Sequence, residues 1–269
     1  MIAHTASTIL ALCFAVMTAT AGEVSSTNSL TPYELRRLKF EAELGRASSQ
    51  FIFGKCYLDG DSLSKDPVEA VKWLRKSAEQ GFPPAQLSLG VCYSKGEGVD
   101  TDPVESMKWV RKSAEQGFEQ AQLSLANCLF NGICVTRDNV EAVKWLRKAA
   151  EQGATLAQFQ LGCSYAFGIG VDKDTTEAAR WLSKAAEKDY PAAQYELGAL
   201  LASGKGFPTD NATTYMWLRL AWENGNREAR RLALEFDQRI STEDTEKGTK
   251  MAQEFRETRA KAQKPKSTP

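Results

Sequence analysis

The 269-residue chain contains a single histidine, His4, and none after it. The commonest general base and commonest transition-metal ligand are thus missing downstream, which excludes histidine-dependent triads and histidine-ligated metal centres. Net charge is missing too, since 34 Lys+Arg residues balance 34 Asp+Glu. A general nucleic-acid binder carries a basic excess, so nucleic acid is not an expected partner. Charge is also absent from residues 1–21, which hold no Lys, Arg, Asp or Glu. The apolar run there, Ile9 to Met17, falls short of the roughly 20 residues a membrane span needs. Ala19-Thr20-Ala21 follows, a small-x-small cleavage pattern, so residues 1–21 read as a secretory signal peptide, with a membrane anchor as the competing reading. Bulky Leu12 argues against a lipoprotein signal at Cys13. The expected product is exported, periplasmic or secreted, without a membrane span after cleavage.

Repetition, by contrast, is abundant. Trp73, Trp109, Trp145, Trp181 and Trp217 are spaced by 36 residues. The same period relates Ala85, Ala121, Ala157, Ala193 and Ala229, and also Gly60, Gly96, Gly132, Gly168 and Gly204. A fixed period in this range marks a repeat architecture. In residues 85–120, Ala85, Leu89, Cys92 and Tyr93 have helical spacing and Gly96 ends the first helix. Asp102-Pro103 opens a second, with Asp as N-cap and Pro at the first helical position. Glu105 stands three residues on, as in a capping box, and the pattern recurs as Asp66/Glu69, Asp138/Glu141 and Asp174/Glu177. Helices are therefore predicted to start after Asp66, Asp102, Asp138, Asp174 and Asp210. Neither helix of a pair could bury its face alone, so neighbours stack.

Around five repeats at 49–228 the ends differ. Residues 31–48 align on 67–84, with Arg37 in place of the tryptophan, and read as a half-repeat capping the open face with charge. Residues 22–30 read as a linker, 229–257 as C-terminal capping helices, and 258–269 as a basic, disordered tail. Cys56, Cys92 and Cys128 share one helical register. Helices that pack about 8–10 Å apart cannot bridge equivalent cysteines, whose Cα atoms must come within roughly 7 Å, so these thiols read as small core residues.

At these residues the chain resembles the Sel-one-like repeat family, a branch of the tetratricopeptide-repeat superfamily. Its pattern runs Ala-x-x-x-Leu-Gly-x-x-Tyr, Gly-x-Gly-Val, Asp, then Ala-x-x-Trp-x-x-x-Ala-Ala-x-x-Gly. Residues 157–186 carry it as Ala157, Leu161, Gly162, Tyr165, Gly168, Gly170, Val171, Asp174, Ala178, Trp181, Ala185 and Ala186. The third repeat departs most, with Ala126 for the motif Gly, Leu129 for Tyr and Cys134 for the second loop Gly. The resemblance implies an all-α fold, a right-handed α/α solenoid of stacked helix–turn–helix repeats. It also implies a monomeric protein-interaction scaffold that binds a protein or peptide on its concave face. In such stacks the first helix of each pair lines that face. The residues placed there are Lys55, Leu58, Val91, Ser94, Lys95, Asn127, Phe130, Asn131, Phe167 and Ser203. Phe130 and Phe167 stand where other repeats have polar or small residues; they are either peptide anchors or extra packing between repeats. Trp73, Trp109, Trp145, Trp181 and Trp217 are read as filling the seams between repeats.

No catalytic, cofactor or metal site is expected. Some secreted family members carry two cysteines per repeat and have been linked to penicillin binding, so a penicillin-binding or β-lactamase-like hydrolase is the alternative; this chain lacks that cysteine pairing. Ser62-x-x-Lys65 matches the nucleophile pattern of penicillin-recognising enzymes but lies in a loop, and neither Lys-Thr-Gly nor Ser-Asp-Asn occurs. The Gly-x-Gly loops follow helices rather than strands, unlike phosphate-binding loops.

Overall fold

The computed structural model describes residues 30–204 and 210–263. The signal peptide, all of the linker but Leu30, and the last six residues of the basic tail lie outside the described residues. Among those described there are thirteen α-helices and no strand. They are α1 (Pro32–Glu43), α2 (Ala47–Asp59), α3 (Pro67–Glu79), α4 (Pro83–Lys95), α5 (Pro103–Glu115), α6 (Glu119–Asn131) and α7 (Asn139–Glu151) in one compact unit, which ends at Gln152. A second unit, from Gly153, holds α8 (Thr155–Phe167), α9 (Thr175–Ala186), α10 (Pro191–Ala202), α11 (Asn211–Glu223), α12 (Arg227–Asp237) and α13 (Thr242–Gln263). Each unit is built of the antiparallel helix pairs of an all-α repeat solenoid. In the first, α2/α3, α4/α5 and α6/α7 pack as pairs and α1 docks on α2. In the second, α8/α9 and α10/α11 are the pairs, and α12 and α13 both pack on α11.

The predicted helix starts are present. Asp66, Asp102, Asp138, Asp174 and Asp210 are N-caps, each accepting from a backbone N–H in the first turn. The expected reciprocal half of the capping box is not formed. Glu69 and Glu105 instead accept from Lys72 and Lys108, while Glu141 and Glu177 accept from the indoles of Trp145 and Trp181. Each of these carboxylates meets a cation, since Arg111 also donates to Glu141 and Arg180 to Glu177, and a bond in which donor and acceptor are both charged outcompetes one from a neutral backbone N–H. Among the described residues, only Thr31 and Glu34, at the start of α1, make the full two-way box.

The first-unit core joins consecutive pairs: Val71, Leu74 and Ala78 of α3 pack with Ala85, Leu89, Cys92 and Tyr93 of α4 and with Trp109 of α5. A ladder of buried glutamines runs beside it. The side-chain amide of Gln86 donates to Ala78 O at 3.1 Å and its Oε1 accepts from Gln116 at 2.6 Å. Gln50 repeats this with Ala42 and Gln80, and Gln122 with Ala114 and Gln152. Each ladder residue thus stitches the helix before it to the second helix of its own pair.

At the C-terminal end, Ser241 accepts from the backbone of Asp244 and starts α13, whose Phe255 meets Trp217 edge-on at 5.7 Å. The helix runs on to Gln263, so residues 258–263, expected to be disordered, are helical. Among the bonds that carry it past 257, Thr258 Oγ1 donates to Glu254 O. Clustered basic residues need not end a helix, because Lys and Arg are good helix formers.

Candidate functional site

Three predicted docking residues converge. Val91, Ser94 and Lys95, on the last turns of α4, line a pocket of about 90 Å³. Leu87 of α4 and Val110 of α5 supply further apolar wall, and Ser124 and Cys128 of α6 form the facing side. Cys134, from the loop after α6, completes it. This loop shows why the third repeat is individual. The equivalent Gly98 has φ +75°, and a Cβ there would come 2.0 Å from the Pro67 carbonyl oxygen. Cys134 adopts the same left-handed conformation, φ 59°, although it carries a side chain. A non-glycine residue in that region is disfavoured and persists only where its surroundings hold it.

The other predicted docking residues are dispersed. Lys55 is paired with Asp59 at 3.0 Å, and Leu58 packs on the core cluster of α3 and α4. Asn131 donates its amide to the Asn127 carbonyl oxygen, and Ser203 donates to Leu200 O. Phe130 is half-buried in the first unit and Phe167 half-buried in the second. Asn127 is a correction: it is 4% exposed and offers no open docking surface. From Ala121 to Leu129 every residue of α6 except Ser124 is buried. Lying off the core stripe therefore does not mean facing solvent on a helix packed on more than one side.

The tryptophans differ in depth. Trp109 is 8% exposed within the core cluster that joins its own pair to the preceding one, and its indole N–H has no acceptor among the described residues. Trp145 and Trp181 are buried and donate to Glu141 and Glu177. Trp217 is buried against α13. Trp73 is only half-buried, with Phe53 edge-on at 5.2 Å and the Lys76 ammonium 4.2 Å from its ring centre.

None of the described cysteines is in a disulfide. Burial pushes Cys92 up to about 11 and Cys128 up to about 12, so both stay protonated and weakly nucleophilic at neutral pH. In the second unit, burial raises the Glu196 carboxyl to about 7. Ser62 Oγ accepts from the Leu30 backbone N–H, and Lys65 pairs with Glu97 at 3.4 Å, so both members of the Ser-x-x-Lys pattern have other partners. No helix among the described residues is long and apolar enough to cross a membrane, and no group of three or more His, Cys, Asp or Glu is placed to hold a metal ion.

Five Sel1 repeats match the chain, at residues 47–82, 83–118, 119–153, 155–190 and 191–226. A protective antigen present in uropathogenic Escherichia coli strains, which displays an SLR fold, is similar at 32% identity and a TM-score of 0.72. The match covers 88% of this chain and 52% of the antigen, so the chain spans about half that protein's length. A Sel1 repeat protein from Oxalobacter formigenes is similar at 32% identity and a TM-score of 0.65, over 82% of this chain and 87% of that one. No curated protein matches in sequence. Sel1 repeats generally serve as protein–protein interaction scaffolds. By its five repeats and its helix pairs, the chain belongs to the Sel1 repeat family.

Proposed function

We propose that the protein is an exported, non-catalytic adaptor that docks a partner protein or peptide at the pocket between α4 and α6. One observation carries this reading: Val91, Ser94 and Lys95, which the family resemblance and their register place among the docking residues, line one pocket with an apolar wall and polar groups beside it. Such a pocket suits an apolar anchor side chain flanked by hydrogen-bonding groups, the usual anatomy of a binding hot spot. Among the described residues Lys95 makes no ion pair, which leaves its ammonium for an acidic group on the partner. The test is affinity capture with the exported chain and two variants. Val91→Arg, which fills the pocket, is expected to weaken partner retention by about ten-fold or more, equivalent to at least 1.4 kcal/mol. Val68→Arg, on an exposed valine of α3, should leave retention unchanged. Equal retention by both variants would remove the pocket from the reading.

The export half rests on the uncharged residues 1–21 and the small-x-small pattern at Ala19-Thr20-Ala21. Mass spectrometry of the protein from the producing cell is expected to give an amino terminus near Gly22. An intact Met1 on a soluble cytosolic product would contradict it.

A further inference from the structure

The N-terminal half-repeat is not the charged cap its Arg37 suggests. Tyr33, Phe40 and Leu44 of and just beyond α1 are 72%, 61% and 63% exposed. On a helical wheel they form one stripe with Arg37, nearly opposite Leu35, Leu38 and Ala42, which face the protein. The repeat makes the anomaly specific. At the register of Tyr33 the next four second helices carry Glu69, Glu105, Glu141 and Glu177, and at the register of Phe40 they carry Lys76, Lys112, Lys148 and Lys184. The lysines at the Phe40 register are largely exposed, whereas the glutamates at the Tyr33 register are half-buried and the Arg37 register carries the mostly buried tryptophans. At the Phe40 register the fifth helix has an apolar residue, Leu220; it is 1% exposed, and α13 lies along that helix. Within this molecule, then, the other apolar residue at that register is buried.

We propose that α1 is a self-association surface that pairs antiparallel with α1 of a second copy of this chain. Charge selects both the partner and the direction. Arg36 and Arg37 precede the centre of the stripe, and Glu41 and Glu43 follow it. An antiparallel pairing about residue 39 sets Tyr33 over the other copy's Leu44, Arg36 beside its Glu43 and Arg37 beside its Glu41. A parallel pairing would set arginine on arginine. Arg36 makes no ion pair within the chain among the described residues, its Nε donating to Pro32 O, whereas Glu41 pairs with Arg37 and Arg46 and Glu43 with Lys39, pairs that the association would have to share or exchange. The three apolar side chains offer on the order of 350 Å² per copy, taking roughly 200 Å² for a full aromatic side chain. Two copies thus bury about 700 Å² through this stripe, well under the roughly 1,200 Å² at which stable interfaces begin, so the dimer is weak and concentration-dependent.

Sedimentation equilibrium of the purified exported protein, from low micromolar to near-millimolar concentration, tests this. A reversible monomer–dimer equilibrium is expected, and Phe40→Glu should leave only monomer with an unchanged melting temperature, because Phe40 supports no core. Arg36→Glu should weaken the dimer by about ten-fold, and Arg36→Glu with Glu43→Arg should restore it, since a two-fold pairing swaps both partners together. A wild-type monomer at every concentration overturns the proposal, as it would if another part of the chain covered the stripe. A dimer that survives Phe40→Glu, or a double reversal that does not restore it, overturns it as well.

Discussion

Trp109→Ala is expected to destabilise the first unit by about 3–5 kcal/mol, the usual loss for truncating a large core aromatic. Trp109 is the deeper case because it lies in one cluster with residues of α3 and α4, so its removal opens the joint between two helix pairs. In a repeat array, stability is nearly a sum over repeats and their nearest-neighbour interfaces, and an interior interface has no substitute. For a unit of this size the melting midpoint should fall by on the order of 10 °C. Trp73→Ala should cost about 1–2 kcal/mol, because that ring is half-exposed and loses chiefly its edge-on contact with Phe53. Trp109→Phe separates shape from polarity. It keeps an aromatic ring and removes a buried indole N–H that has no acceptor, so the expected loss is under half that of the alanine variant. Thermal and urea melts of the three proteins decide the order. Equal, small shifts for Trp109→Ala and Trp73→Ala would mean that the indole does not hold the joint.

Trp109 also marks how far the sequence carries the fold. A 36-residue period says that five indoles share an environment, and an amphipathic second helix says roughly which way it faces; the N-cap aspartates then fix the helix starts to the residue. What the period does not convey is how many sides of a first helix are covered. Asn127 was assigned to an open face because it lies off the Leu125–Cys128 stripe, yet α6 is buried nearly all round. Competition among local partners was equally hidden. Glu69 and Glu105 have capping-box spacing, but Lys72 and Lys108, each three residues further on, take their carboxylates. Of the candidate site, the family resemblance and the register place Val91, Ser94 and Lys95 among ten docking candidates, but do not show their convergence on one pocket. The pocket's other wall is not legible either, because it depends on Cys134 holding a left-handed turn where the flanking repeats use Gly98 and Gly170. The apolar stripe on α1 is masked in the sequence by Arg37, whose charge suggests a solvated cap, although Tyr33, Phe40 and Leu44 stand exposed around it.

The glutamine ladder is hidden in the sequence for a different reason: a polar side chain ordinarily reads as surface. Gln86 is 4% exposed and both ends of its amide are used, the nitrogen donating to Ala78 O and the oxygen accepting from Gln116. Gln86→Glu keeps the size and removes the donor. At neutral pH it sets a buried carboxylate against the Ala78 carbonyl oxygen, with no cation among the groups bonded to it, and an uncompensated buried charge costs about 3–5 kcal/mol. The pH dependence follows from that burial. Desolvation and the facing carbonyl raise the new carboxyl's pKa in the folded state above the unfolded value of about 4.3. Between the two values the folded state binds more protons than the unfolded, so stability falls as pH rises. Below the unfolded pKa the protonated acid can donate to Ala78 O and accept from Gln116, as the amide does, and most of the loss should be recovered. Gln86→Leu has no charge to titrate; it leaves the Gln116 amide and the Ala78 oxygen short of one partner each and should cost about 1–3 kcal/mol at any pH. Urea melts of both variants at pH 4 and pH 7, each referred to wild type at the same pH, test the assignment. A Gln86→Glu loss that is small, or equal at the two pH values, would place this side chain in water and dissolve the ladder.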